Sequence, residues 1–241
     1  MGTSTSYDAP PSWAPLKSQV TRFAGAGALS SAQAGEVVRE FVTHSGGAAA
    51  ASHGGGTFGR ARAAQTAGRA IAGFVGLASR VGFDEALRRN GLGALVGRPV
   101  TDIILALVDH CGGPGSSIDE VDARNATSRL LHEMLDDAAD AGAVDAILKE
   151  VGEADGLVAL LERFFGYCLY EQFCRVFFER LVKKHGDDRA RSFLSDIFHF
   201  IRSTLSNRLV DMDVKGVDWF GDEGRRISDD IMEQTLRVYE S

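Results

Sequence analysis

Six histidines, His44, His53, His110, His132, His185 and His199, never recur at i+3 or i+4. No helix can therefore present a two-histidine metal clamp. His110 and Cys111 are neighbours in sequence, so on a helix they point to different sides and make a poor thiolate–imidazole pair. Cys168 and Cys174 are six apart, about 240° around a helix axis, and do not share a face. An odd, sparse set of three cysteines reads as buried thiols, not as a disulfide framework. Carboxylates gather at Glu133, Asp136, Asp137 and Asp140. They could hold a divalent cation or act as an acid pair, and they read as the wet face of a helix over 118–141. The loop Gly112-Gly113-Pro114-Gly115-Ser116-Ser117 precedes a helix as a phosphate cradle would. It lacks the P-loop lysine, and Asp119 and Glu120 put negative charge where phosphate would sit. No Gly-x-Ser-x-Gly elbow occurs. His199, between Phe198 and Phe200, reads as a packed or half-exposed helix residue. No metal site, cofactor or catalytic constellation is expected.

The first residues carry a different chemistry. Initiator methionine is removed when the second residue is small, so Met1-Gly2 leaves a glycine amine. With a pKa near ~8, part of that amine is unprotonated at neutral pH and nucleophilic. Glycine has no side chain, so the amine can enter a narrow pocket. Gly2-Thr3-Ser4-Thr5-Ser6 also fits a myristoylation pattern, but no polybasic patch follows, and one acyl chain anchors weakly.

The elements around these residues are helical. Residues 1–20 form a tail whose Pro10, Pro11 and Pro15 favour extended backbone, with Trp13 and Leu16 able to dock it on a body. Residues 21–57 hold a short helix over 31–44 and a glycine- and alanine-rich linker, part of a low-complexity run from Ser45 to Gly59. Residues 58–241 form the body. Over 60–81, Ala64, Gly68, Ala72 and Gly76 make a small-residue row for close helix approach. Ile71, Phe74, Val75 and Ala78 supply the apolar stripe beside it. Short helices follow at 84–90 and after Pro99, the latter burying Ile103, Ile104, Leu107 and Val108. Ser117 and Glu120 form a capping box for a helix running to Ala141, where Gly142 stops it. A short helix spans 143–151. Gly156 to His185 is apolar nearly all round and reads as a buried central helix, with Glu171, Arg175 and Glu179 as a solvated edge. Asp187 or Asp188 caps the next helix. Asp211 to Gly224 is a loop, and Ser228 caps a last helix, with Asp229 and Asp230 in its first turn. No alternating strand pattern appears. The expected fold is all-α, an irregular helical bundle with an extended N-terminal tail.

Composition sets limits on partners. The chain has 241 residues and a formal charge of -7, against a protein that coats nucleic acid. Charge is polarised: between Phe58 and Arg98 seven arginines face only Asp84 and Glu85. Arg60, Arg62 and Arg69 could meet an anionic partner, or pair with the acidic C-terminal half. No secretory signal or 20-residue apolar span is visible, so a cytoplasmic protein is expected.

The opening Met1-Gly2-Thr3-Ser4-Thr5-Ser6-Tyr7, followed by Pro11-Ser12-Trp13, resembles that of QatB proteins, members of the bacterial four-component Qat anti-phage system. The likeness continues at Thr21-Arg22-Phe23-Ala24, at Gly97-Arg98-Pro99 with the Ile103-Ile104-Leu105 helix, and at Ser117-Ile118-Asp119-Glu120. The resemblance implies a non-enzymatic component acting with a P-loop ATPase, a QueC-like enzyme and a TatD-like nuclease. It further implies that Gly2 is the amine to which the QueC-like enzyme passes an ATP-activated 7-deazaguanine carboxylate. Thr3, Ser4, Thr5, Ser6 and Tyr7 would then be what that enzyme recognises, together with Met1 before its removal. The alternatives are a peripheral membrane effector or a nucleic-acid-binding adaptor of the same system.

Overall fold

The computed structural model describes residues 13–53, 62–152, 154–206, 212, 214 and 216–240. Among these the helices, in chain order, are α1 (Ala14–Ala26), α2 (Ser31–His44), α3 (Gly47–His53), α4 (Arg62–Val81) and α5 (Phe83–Arg89). A 3-10 turn at Gly93–Leu95 separates them from α6 (Val100–Gly112), α7 (Ile118–Leu135), α8 (Ala141–Val151), α9 (Ala154–His185), α10 (Asp187–Leu205) and α11 (Asp222–Arg237). No strand occurs among the described residues, so the fold is all-α.

The axis of the molecule is α9. Thirty-two residues at 1.5 Å each make it about 48 Å long. Its buried side chains include Leu160, Leu161, Phe164, Phe165, Tyr167, Phe173, Phe177 and Leu181. With apolar residues all round, it can bury only by being surrounded. Helices α1, α4, α7, α8, α10 and α11 pack on it.

The small-residue row of α4 is spent on this contact. A methyl at Gly68 would sit 3.0 Å from Phe165 Cζ, and one at Gly76 would sit 3.8 Å from a Leu157 methyl. Glycine's helix cost of ~1 kcal/mol is offset here by aromatic side chains of α9 lying flush on α4. The row is therefore interior, and no membrane or self-association face is left along it. No described helix is long and apolar enough to cross a membrane.

Several boundaries differ from the sequence expectation. Residues 14–20, read as extended, form the first half of α1. Pro15 lies in its first turn, where a missing N–H costs nothing. Part of the glycine-rich linker forms α3, entered through Gly46 and Gly47 at positive φ. Helix α7 ends at Leu135, six residues early. Asp140 then caps α8 by accepting from the Ala143 N–H at 2.9 Å, so Gly142 lies inside α8 instead of stopping α7. The cap of α10 is Gly186 at φ 85°, with Asp187 and Asp188 in the first turn, where the dipole favours them. Helix α11 begins at Asp222, not at Ser228. Ser228 is buried within it, and Asp229 and Asp230 are mid-helix. The physical reason is Gly224: any side chain there would drive into the Trp219 backbone. Gly224, Ser228, Ile231, Met232 and Thr235 thus make one buried face. The capping box at Ser117 and Glu120 is present as read, with a second at Ser30 and Gln33.

Candidate functional site

Met1, Gly2, Thr3, Ser4, Thr5, Ser6, Tyr7 and Arg60 lie outside the described residues. What the structure describes is the root of the N-terminal segment. Trp13 is buried, its ring edge-on to Phe41 at 5.6 Å and to His44 at 5.9 Å. Phe41 in turn meets Phe173 and Phe177 of α9. Leu16 is buried one turn-face away. Polar ties fix the other end of α1. His185 Nε2 hydrogen-bonds the Thr21 carbonyl at 2.9 Å, Arg180 Nε donates to Thr21 Oγ1 at 3.0 Å, and Arg189 donates to the Ala24 and Gly27 carbonyls. The chain before Trp13 therefore departs from a fixed point on the bundle.

Between α7 and α9, walled also by Lys17 of α1, lies a groove of about 690 Å³. Its lining mixes Ile118, Val121 and Phe178 with Asp122, Glu171, Arg175, Lys183 and Lys184. Two of the α9 charges that read as a solvated edge, Glu171 and Arg175, are part of a seam between helices, while Glu179 is exposed. Arg175 pairs with Asp119 at 3.2 Å and Asp122 at 3.3 Å, while Arg129 reaches Glu171 at 3.0 Å. The Arg129 guanidinium also lies over Tyr170 and Phe198, at 5.0 and 4.8 Å. Helix α7 brings its own carboxylates and Arg129 to that face. Burial pushes the Asp122 carboxyl up to about 7, against the pull of the Arg175 guanidinium.

The other sequence candidates separate into structural roles. Glu133 accepts from the Tyr167 hydroxyl and pairs with Arg163 at 3.6 Å and Arg202 at 3.4 Å. Asp136 takes His132, and Asp140 is a helix cap. Among the described residues no group of three His, Cys, Asp or Glu side chains could hold a metal ion. In the Gly112–Ser117 loop, Glu120 accepts from Ser116 N–H and Oγ at 2.7 and 2.6 Å. Those bonds hold its carboxyl below the usual range, and the protein's own anion fills the cradle. All three cysteines are free. Burial raises the Cys111 and Cys174 thiols to about 12 and the Cys168 thiol well above its ordinary value. His199 is exposed. Arg62 and Arg69 lie on α4. Arg69 donates to the Gln65 carbonyl, and no described carboxylate pairs with Arg62, Arg69 or Arg80. Among the described residues the expected pairing with the acidic half is not made at these positions.

Sequence reasoning missed Asp122. Its signal was register: Asp122, Ala126 and Leu130 fall at successive i+4 steps, so a carboxylate stands in line with the core stripe of α7.

An all-helical body with an anchored N-terminal helix and an amphipathic groove between α7 and α9 defines the class: an α-helical bundle protein. Within that class the match is specific, since the model of QatB, the Qat anti-phage system associated protein, fits residues 46–239. The chain belongs to this family and is a component of the Qat anti-phage system. No curated protein and no solved structure matches it.

Proposed function

We propose that this chain is a non-catalytic component of the Qat system whose Gly2 amine is the substrate of a QueC-like partner enzyme. The observation that carries this is the opening Met1-Gly2-Thr3-Ser4-Thr5-Ser6, a side-chain-free second residue followed by small hydroxyl residues. The partner activates a 7-deazaguanine carboxylate with ATP. The deprotonated Gly2 nitrogen attacks the activated carbon, the leaving group departs, the nitrogen gives up a proton, and an amide remains. Helix α1 supports this division of labour, because it is tied to the body at Trp13, with eleven residues between the Gly2 amine and that anchor. The P-loop ATPase and TatD-like nuclease of the system are further partners in this reading, and the compartment is the cytoplasm. Replacing Gly2 with a bulky residue tests it. Gly2→Leu abolishes both modification and phage protection if the amine is the acceptor; protection at wild-type level in that variant refutes the proposal.

A second reading, a nucleic-acid adaptor, is favoured by the α4 arginines Arg62 and Arg69, which pair with no described carboxylate. Binding to a single-stranded oligonucleotide that weakens with salt, and weakens further in Arg62→Ala/Arg69→Ala, supports it. No binding at low salt rejects it.

A further inference from the structure

Phe220 is the most open large apolar side chain among the described residues, at 67% exposed. Its backbone is nonetheless fixed. The Phe220 N–H donates to Asp218 Oδ1 at 3.1 Å, the Gly221 N–H donates to the Asp218 carbonyl at 3.1 Å, and the neighbouring Trp219 is buried. The ring meets the body at Gly73 of α4. A methyl there would stand 3.0 Å from Phe220 Cε2 and 3.3 Å from Cζ, with Trp219 Cβ next at 3.6 Å. The ring therefore rests on the helix by its tip edge and leaves most of its surface to solvent. An exposed ring held this firmly is ordered before any partner arrives.

Gly73 lies on the outer side of α4. With 3.6 residues per turn, Arg62, Thr66, Arg69, Gly73 and Arg80 fall within about 60° of arc, opposite the buried Ala67, Ile71, Val75 and Ala78. Arg69 stands one turn before the seat of the ring and Arg80 two turns after it, about 6 Å and about 10 Å along the axis. Helix α4 carries no carboxylate, and none of its arginines pairs with a described one. An aromatic face with guanidinium groups before and after it on one line matches a single nucleic-acid strand, whose bases stack and whose phosphates seek cations. Asp218, and Asp222 and Glu223 in the first turn of α11, are the carboxylates nearest to Phe220 in sequence. A strand that follows α4 can leave them to one side, whereas a flat anionic bilayer would have to meet them as well.

We infer that Phe220 is a stacking platform for single-stranded nucleic acid, with a base on its open face and phosphates held by Arg69 and Arg80 on either side. This rests on the nucleic-acid reading above and narrows it. Arginines alone attract any polyanion, while an exposed ring selects unpaired bases over a duplex, which presents its phosphates and keeps its bases stacked inside.

The test measures binding of a fluorescein-labelled oligothymidylate to the full chain by fluorescence polarisation across a salt series, beside a duplex of the same length. Phe220→Ala weakens binding of the single strand about tenfold and affects the duplex little, and Phe220→Trp retains the wild-type affinity. Arg69→Ala/Arg80→Ala lowers the slope of log affinity against log salt by about 1.4. Single-strand binding that Phe220→Ala leaves unchanged, or a loss that Phe220→Trp fails to restore, overturns the platform while the adaptor reading stands. No binding at low salt overturns both, as does binding to phosphatidylserine vesicles without binding to the oligonucleotide.

Discussion

Trp13→Ala tests how the N-terminal helix is held. The ring is buried against Phe41 and His44, and Phe41 passes the contact to Phe173 and Phe177 on the central helix. Truncating a buried tryptophan costs about 3–5 kcal/mol, part of it the edge-to-face contact worth ~0.5–1.5 kcal/mol. For a chain of this length each kcal/mol moves Tm by about 2–4 °C, so a cooperative loss lowers Tm by about 6–20 °C. If α1 instead detaches alone, the same free energy appears as a local opening about a hundredfold or more favoured. Both are read by thermal unfolding together with trypsin cleavage at Lys17 and Arg22. The expected result is a lowered Tm, or rapid cleavage at those two sites in an otherwise folded protein, with Trp13→Phe retaining most of the protection. A Tm within about 2 °C of wild type, with Lys17 and Arg22 still protected, would refute the anchoring of α1 on α2 and α9.

Three further outcomes are expected. The Asp122 carboxyl lies above its ordinary value in the folded chain, so the native state binds more protons than the unfolded state between about pH 4 and 7, and stability falls as pH rises across that window. Asp122→Asn removes this slope, measured as urea midpoints at pH 5 and pH 8; a slope that persists contradicts the burial of Asp122. Gly68→Leu drives a side chain into Phe165 and Phe164 and lowers stability by roughly 1–3 kcal/mol, checked by denaturant titration. Cys111 and Cys168, buried with raised thiol pKa values, resist iodoacetamide at pH 8 until the chain is unfolded, as peptide mass mapping will show.

Much of the architecture is visible in local sequence. The Ser117–Glu120 box, the stripe Ile71, Phe74, Val75 and Ala78, and the apolar run from Leu157 to Tyr170 each depend on neighbours a few residues away, and each forms as expected. The misplaced boundaries share a cause. Pro15, Gly142, Gly224 and Ser228 are residues that break or cap helices in isolation, yet each fits a helix once its turn position or its packing partner is known. The α7–α9 seam was hidden for a related reason. Glu171, Arg175 and Glu179 lie at pairing distance on a lone helix, and only tertiary contact brings Asp119 and Asp122 to Arg175 and Arg129 to Glu171. The candidate acceptor, Gly2, rests on the resemblance of the chain's opening to QatB proteins, and its residue type shows only an unhindered backbone amine that needs no constellation around it.

The most direct measurement is the mass of the N-terminal peptide from this chain produced with the complete Qat system, beside the same chain produced without the QueC-like enzyme. The account predicts a peptide that begins at Gly2 and carries a 7-deazaguanine amide on its first nitrogen only when that enzyme is present. A peptide that keeps Met1, or a free Gly2 amine in a system that still protects against phage, would contradict it.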